Sequence, residues 1–162
     1  MVDKKKQGKK NRASGAAFER RVRKDLEDGG WIVDKWSNNV KLQEDNAIDV
    51  SGRIGGPFGK LIPAKHKFRG PGIPMAIGTG FPDFIAFNWN VDIGTGITFG
   101  DIIGVECKIN GYLDKIEREK CRWLLNNYVF SKIIIAEKTK VNNKIIIDYC
   151  DFKEKYKWKT SE

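Results

Sequence analysis

Two apolar segments, Phe81 to Trp89 and Ile102 to Lys108, constrain the fold more than anything else in the chain. Both are apolar on each alternating face, the pattern of strands buried on both sides in a covered sheet. Such strands have little room for charge, because removing an ionised group from water is costly unless it is paired or bound to a metal. Yet Asp83 opens the first segment, and Glu106 and Lys108 close the second. Alternate strand residues share a face, so Glu106 and Lys108 project together while Cys107 points away. Pro82 marks a strand entry at Asp83 rather than an interior position.

The flanking sequence supplies helices to cover that sheet. Phe18, Val22 and Leu26 recur at helical spacing, Ser14 can cap the start, and Gly29-Gly30 stops the helix. A strand follows at about 31–36. After Lys108, Asp114 reads as an N-cap with Glu117 as its capping-box partner, opening a helix to about Tyr128. The β-branched runs 132–137 and 144–149 around Val141-Asn142-Asn143 read as a hairpin. The expected order is α-β-(long loop)-β-β-α-β-β, a mixed α/β domain over 14–158. Residues 37–80 hold eight glycines and four prolines with no sustained period, so 38–80 is expected as a long irregular insertion with room for a short hairpin. Residues 1–13, Lys-rich and nearly free of large apolar groups, are expected to form a disordered basic arm.

Charge narrows the function. The formal net charge is +9, and the excess is concentrated at the N-terminus, where Arg12, Arg20 and Arg23 follow a run of lysines. Such a field attracts polyanions, nucleic acid foremost, through counterion release. An interfacial membrane helix would need a Trp/Phe/Leu face that this segment lacks. No apolar run approaches the roughly 20 residues of a membrane span, and no apolar stretch follows the charged N-terminus, so a cytoplasmic protein is expected. Cys107, Cys121 and Cys150 show no CxxC spacing, and with His66 alone they form no recognisable zinc or iron–sulfur site. Buried thiols in a reducing compartment are the plain reading.

If the two charged strands are neighbours, Asp83 and Glu106 converge on one hard cation. Mg²⁺ takes oxygen ligands, typically one or two carboxylates completed by water and substrate phosphate, and the Cys107 carbonyl can add another. A metal there would acidify water and polarise a phosphodiester, with Lys108 offsetting the charge that develops. The competing reading is a Glu106–Lys108 surface ion pair with Asp83 as a strand cap.

Gly80-Phe81-Pro82-Asp83 followed by Val105-Glu106-Cys107-Lys108 resembles the PD-(D/E)XK nucleases. The upstream Gly15-Ala16-Ala17-Phe18-Glu19-Arg20 and the downstream Gly111-Tyr112-Leu113 extend the likeness to archaeal Holliday-junction resolvases and VRR-NUC nucleases. The resemblance covers about residues 8–37 and 78–138. It implies a restriction-endonuclease-like core, a central mixed sheet flanked by helices. It further implies Asp83 and Glu106 as ligands of Mg²⁺ (with Mn²⁺ substituting), Lys108 as catalytic lysine, and Glu19 as a residue binding metal through water or helping to activate the nucleophile. The plain alternative for Glu19 is an i, i+4 pair with Arg23.

These families often carry a glutamine in the helix after the Glu-x-Lys strand, and this helix has none. Lys120, on its apolar stripe, is the candidate replacement, contacting a phosphate or else snorkelling out. In the insertion, Arg69 is a further candidate DNA contact, whereas nothing places His66 in the site. The expected activity is a Mg²⁺-dependent endonuclease on branched DNA, acting as a homodimer in recombination or repair. A restriction-like or flap-processing nuclease, or a non-catalytic nucleic-acid-binding protein, are the alternatives. An apolar patch around Trp123 or on an edge strand would fit a dimer.

Overall fold

The computed structural model describes residues 4–42, 59–64, 66–67, 71, 76–77, 80–91 and 98–157. Helix α1 (Lys4–Asp28) leads into β1 (Ile32–Lys35), then two short pairs, β2 (Asn38–Leu42) with β3 (Gly59–Pro63) and β4 (His66–Lys67) with β5 (Ala76–Ile77). The chain continues through β6 (Phe84–Val91), β7 (Thr98–Lys108), α2 (Lys115–Asn126), β8 (Lys132–Val141), β9 (Lys144–Asp151) and α3 (Phe152–Lys155). The main sheet has the order β1-β6-β7-β8-β9, antiparallel throughout except for the parallel pair β7–β8 that α2 connects. The protein is thus α/β, with a five-stranded mixed sheet and three helices among the described residues. None of these helices is long and apolar enough to cross a membrane.

The two faces of the sheet carry separate cores. Phe18, Val22 and Leu26 of α1 pack on Val33, Phe84, Ala86, Ile103, Val105 and Ala136. Cys121, Leu124 and Leu125 of α2 pack on Ile133 and Ile135, joined by Val40, Phe81, Phe130 and Phe152. Burying side chains like these is worth roughly 1.5–3 kcal/mol each, which outweighs local propensity in fixing the layers. The period-2 alternation along β7 therefore puts Ile103 and Val105 under α1, and Glu106 and Lys108 on the α2 side.

Most expected elements form. The Asp114–Glu117 capping box is present, with both reciprocal bonds made. Gly30 ends α1 at φ +86°, and Asn142 and Asn143 turn the hairpin at φ +49° and +60°, the left-handed pair that a two-residue hairpin loop demands.

Two expectations need correction. The helix starts at Lys4, not Ser14, so residues 4–13 of the expected disordered arm are helical. Once the packed turns nucleate a helix, each added Lys, Gln or Arg extends it at little cost. The first central strand begins at Phe84, leaving Phe81–Asp83 in a bend. The short hairpin allowed for in the 38–80 insertion has its counterpart in the antiparallel pair β2–β3, and Val40 and Ala64 enter the interior there. Trp123 is half-buried against the α2-side core, and β3 lies on it closely enough that a Cβ at Gly59 would sit 3.1 Å from its Nε1.

Candidate active site

The bend before β6 is pinned from three sides. Phe81 N–H donates to the Asn38 carbonyl (2.8 Å) and Trp36 N–H to the Asp83 carbonyl (3.2 Å). Pro82 is fully buried and follows a cis peptide bond. Glycine is required at two neighbours of this bend. A Cβ at Gly80 would collide with the Trp36 carbonyl, and one at Gly104 would lie 2.7 Å from Pro82 Cγ. These close approaches bring Asp83 against the end of β7, where its Oδ2 accepts the Cys107 N–H at 3.0 Å. A strand residue turns its N–H and carbonyl to the same edge, so the Cys107 carbonyl is directed to the Asp83 side as well.

Glu106 is buried, at 5% exposure, the one charged residue so placed among the described residues. Its Oε1 lies 3.3 Å from Lys108 Nζ. Its Oε2 is buried without a partner. A buried acceptor left unsatisfied costs on the order of 1–3 kcal/mol, more if charged. Burial first, then the Asp83 charge, pushes the Glu106 carboxyl well above its ordinary range, and burial likewise raises Asp83. Burial pulls the Lys108 ammonium down, but Glu117 and Glu106 together outweigh it and the net shift is upward. Lys108 is therefore a persistent cation.

Glu117 is the residue the sequence reading placed only in a helix cap. Its Oε2 accepts Asp114 N–H at 3.0 Å while its Oε1 holds Lys108 Nζ. No spacing rule links residues 108 and 117, so the second role becomes legible only when α2 packs on β7. Lys35 was also missed. Its Nζ sits 2.5 Å from Glu19 Oε2 and 4.5 Å from the Phe84 ring centroid, and its charge reaches Asp83.

The remaining candidates divide. Glu19 lies on the Asp83 side of α1, near enough for its charge to raise Asp83. Its partner is Lys35, not the Arg23 of the plain alternative. Arg23 instead binds Glu27 at 2.8 Å and the Val33 carbonyl at 3.1 Å, ties that hold α1 to β1. Arg12 and Arg20 are exposed on α1. Lys120 Nζ donates to Asn39 Oδ1 at 2.8 Å and lies 5.4 Å from the Phe81 ring centroid, so α2 reaches β2 through it. Arg69 and the side chain of His66 lie outside the described residues.

Among the described residues, no three His, Cys, Asp or Glu side chains form a metal-holding group. What does lie together is Asp83, bonded to the Cys107 N–H, and Glu106, which the Asp83 charge reaches. The orphaned Glu106 oxygen and the charge of half-buried Asp83 acting on that carboxyl are what a hard divalent cation would relieve, and an all-oxygen set suits Mg²⁺. The donors present fit that group. A cavity of about 510 Å³ lies away from these acids, toward the Asp101 end of β7, lined by Asp25, Trp31, Asp101, Lys132 and Tyr149 among others.

No family model matches the chain, and neither a curated protein nor a solved structure does. The fold defines an α/β protein with a five-stranded mixed sheet.

Proposed function

We propose that this chain is a metal-dependent endonuclease of the PD-(D/E)XK type, hydrolysing DNA phosphodiesters at the Asp83–Glu106–Lys108 end of β7. The observation that carries the reading is the buried, half-satisfied Glu106 carboxylate beside Asp83 and a paired lysine. Two acids aimed at a phosphate would repel it unless a cation intervenes. A bound Mg²⁺ supplies an acidified water and neutralises charge on the phosphate.

The residues do the rest. Asp83 and Glu106 would hold the cation, with the Cys107 carbonyl turned to the Asp83 edge as a further oxygen. Lys108, kept protonated by Glu117 and Glu106, is not a base; its ammonium offsets negative charge on the phosphate as the reaction proceeds. Glu117 orients that ammonium through one oxygen while the other stays fixed in the helix cap. Hydrolysis then joins a water oxygen to phosphorus and breaks the bond to one sugar oxygen, which leaves with a proton. Branched DNA is the substrate this reading favours, with a homodimer giving each of two cuts its own site.

The test is incubation with Mg²⁺ or Mn²⁺ and four substrates: a four-way junction, a flap, a linear duplex and a single strand. Cleavage that disappears with chelator and with Asp83→Ala is the expected result. Tight binding with no cutting under either metal would replace the nuclease with a non-catalytic nucleic-acid-binding protein.

A further inference from the structure

The C-terminal hairpin outruns the sheet at the same end as the proposed site. Strand β8 runs parallel to β7 and pairs with it only as far as Lys108↔Glu137. Beyond that, four β8–β9 pairs from Lys138↔Ile147 to Val141↔Lys144 continue without a β7 partner, a projection of about 13 Å at the rise of a strand, with Ile147 at its base packed on the α1-side core. Its root is braced, since Lys138 N–H donates to the Ile109 carbonyl (3.3 Å) and Lys155 Nζ pairs with Glu137 Oε2 (2.8 Å).

The composition of this arm is one-sided. From Lys138 to Ile147 it carries three lysines and no acid. Lys138, Lys140 and Lys144 are exposed and have no carboxylate partner among the described residues. Val141, Ile145 and Ile146 are also exposed, at 47%, 41% and 43%. Exposed Val and Ile on a projecting hairpin are side chains that water disfavours, and the unpaired lysines beside them give the arm a positive field.

Helix α1 projects in the same direction. Glu19 lies near the site end, while Asp25 and Leu26 line the groove with Asp101 and Ile103 at the far end. The helix therefore runs antiparallel to β7, and its first turns, Lys4 to Ala17, extend past the site end by about 21 Å.

We propose that the β8–β9 hairpin is a nucleic-acid-gripping arm: its lysines engage phosphates, its Val and Ile enter the groove of a duplex, and the basic stem of α1 flanks the same duplex. Charge complementarity and continuity with the site end name the occupant. A two-stranded β-ribbon is of a size the DNA major groove admits. The inference rests on the nucleic-acid part of the reading above, but not on catalysis.

Binding of a labelled duplex and a four-way junction is measured by anisotropy in chelator across a salt series. The full chain is compared with Lys138→Gln/Lys140→Gln/Lys144→Gln and with the matching triple Arg variant, each checked by its melting curve. The Gln variant is expected to lose roughly tenfold or more in affinity, its log–log salt slope falling by about one per lysine, while the Arg variant binds like the parent. Unchanged affinity and slope in the Gln variant would overturn the proposal. So would equal loss in the Arg variant, or binding of anionic vesicles by the parent with none of either DNA. An Asp83→Asn chain bound through the hairpin separates the two readings. Hairpin-dependent binding without any cutting by the parent removes the nuclease and keeps the arm; metal-dependent cutting with hairpin-independent binding does the reverse.

Discussion

The two ends of the β6–β7 ladder carry acids in opposite circumstances. At the far end Asp101 and Asp25 sit on the exposed rim of the large groove, and Asp25 accepts the Tyr149 hydroxyl at 2.8 Å. At the near end Glu106 is buried with one oxygen unanswered and Asp83 pressed close. Cavity size and chemical strain thus point to different places. Volume reports only where side chains fail to meet, whereas an uncompensated buried charge reports a group that folding alone would not retain.

The largest expected contrast is in cutting. Asp83→Asn should lower the metal-dependent rate by about a thousandfold or more, while Asp101→Asn at the groove rim stays near the parent in the same single-turnover assay. Equal losses at both ends would break the comparison and move the chemistry toward the groove.

A smaller effect separates the two jobs of Glu117. Glu117→Gln keeps a capping-box residue but loses the charge that holds Lys108. Its melting temperature should stay close to that of the parent, with a rate lower by roughly tenfold, whereas Lys108→Ala loses about 10²–10³. A Glu117→Gln variant that unfolds early yet cuts normally would reduce Glu117 to its structural role.

The smallest effect is thermal, and its sign follows from linkage. Without metal, burial and Asp83 hold the Glu106 carboxyl well above the usual 4.5. The folded chain keeps that proton to higher pH than the unfolded one, so stability present at low pH is lost as pH rises through the folded value. Glu106→Gln should therefore melt higher than the parent at neutral pH, by around 3 °C for about 1 kcal/mol. The gap should close as pH falls toward 4.5. A lower melting point for Glu106→Gln in chelator would mean that the Lys108 pair more than offsets the burial cost.

The candidate site was legible where periodicity alone decides geometry. Glu106 and Lys108 had to share a face because strands alternate, and Asp83 had to lie near a strand entry because Pro82 precedes it. The Asp114–Glu117 cap and the Asn142-Asn143 turn were likewise local, set by side-chain bonding and by residues that accept positive φ. The start of α1 was not legible, because a Lys-rich segment scores as arm or helix according to whether a packed helix is there to extend.

The sequence by itself determined the pattern of buried faces, the placement of charges within it, and the turns and caps that separate the elements, since all of these act within a few residues. Only tertiary structure decided which elements meet. Lys35 reached Glu19, Glu117 reached Lys108, and Lys120 reached Asn39 across 81 residues, through contacts that depend on how layers pack. The sharing of one end by buried Glu106, half-buried Asp83, the α1 stem and the hairpin follows from strand direction and register, which burial of the two cores fixes and no local spacing encodes.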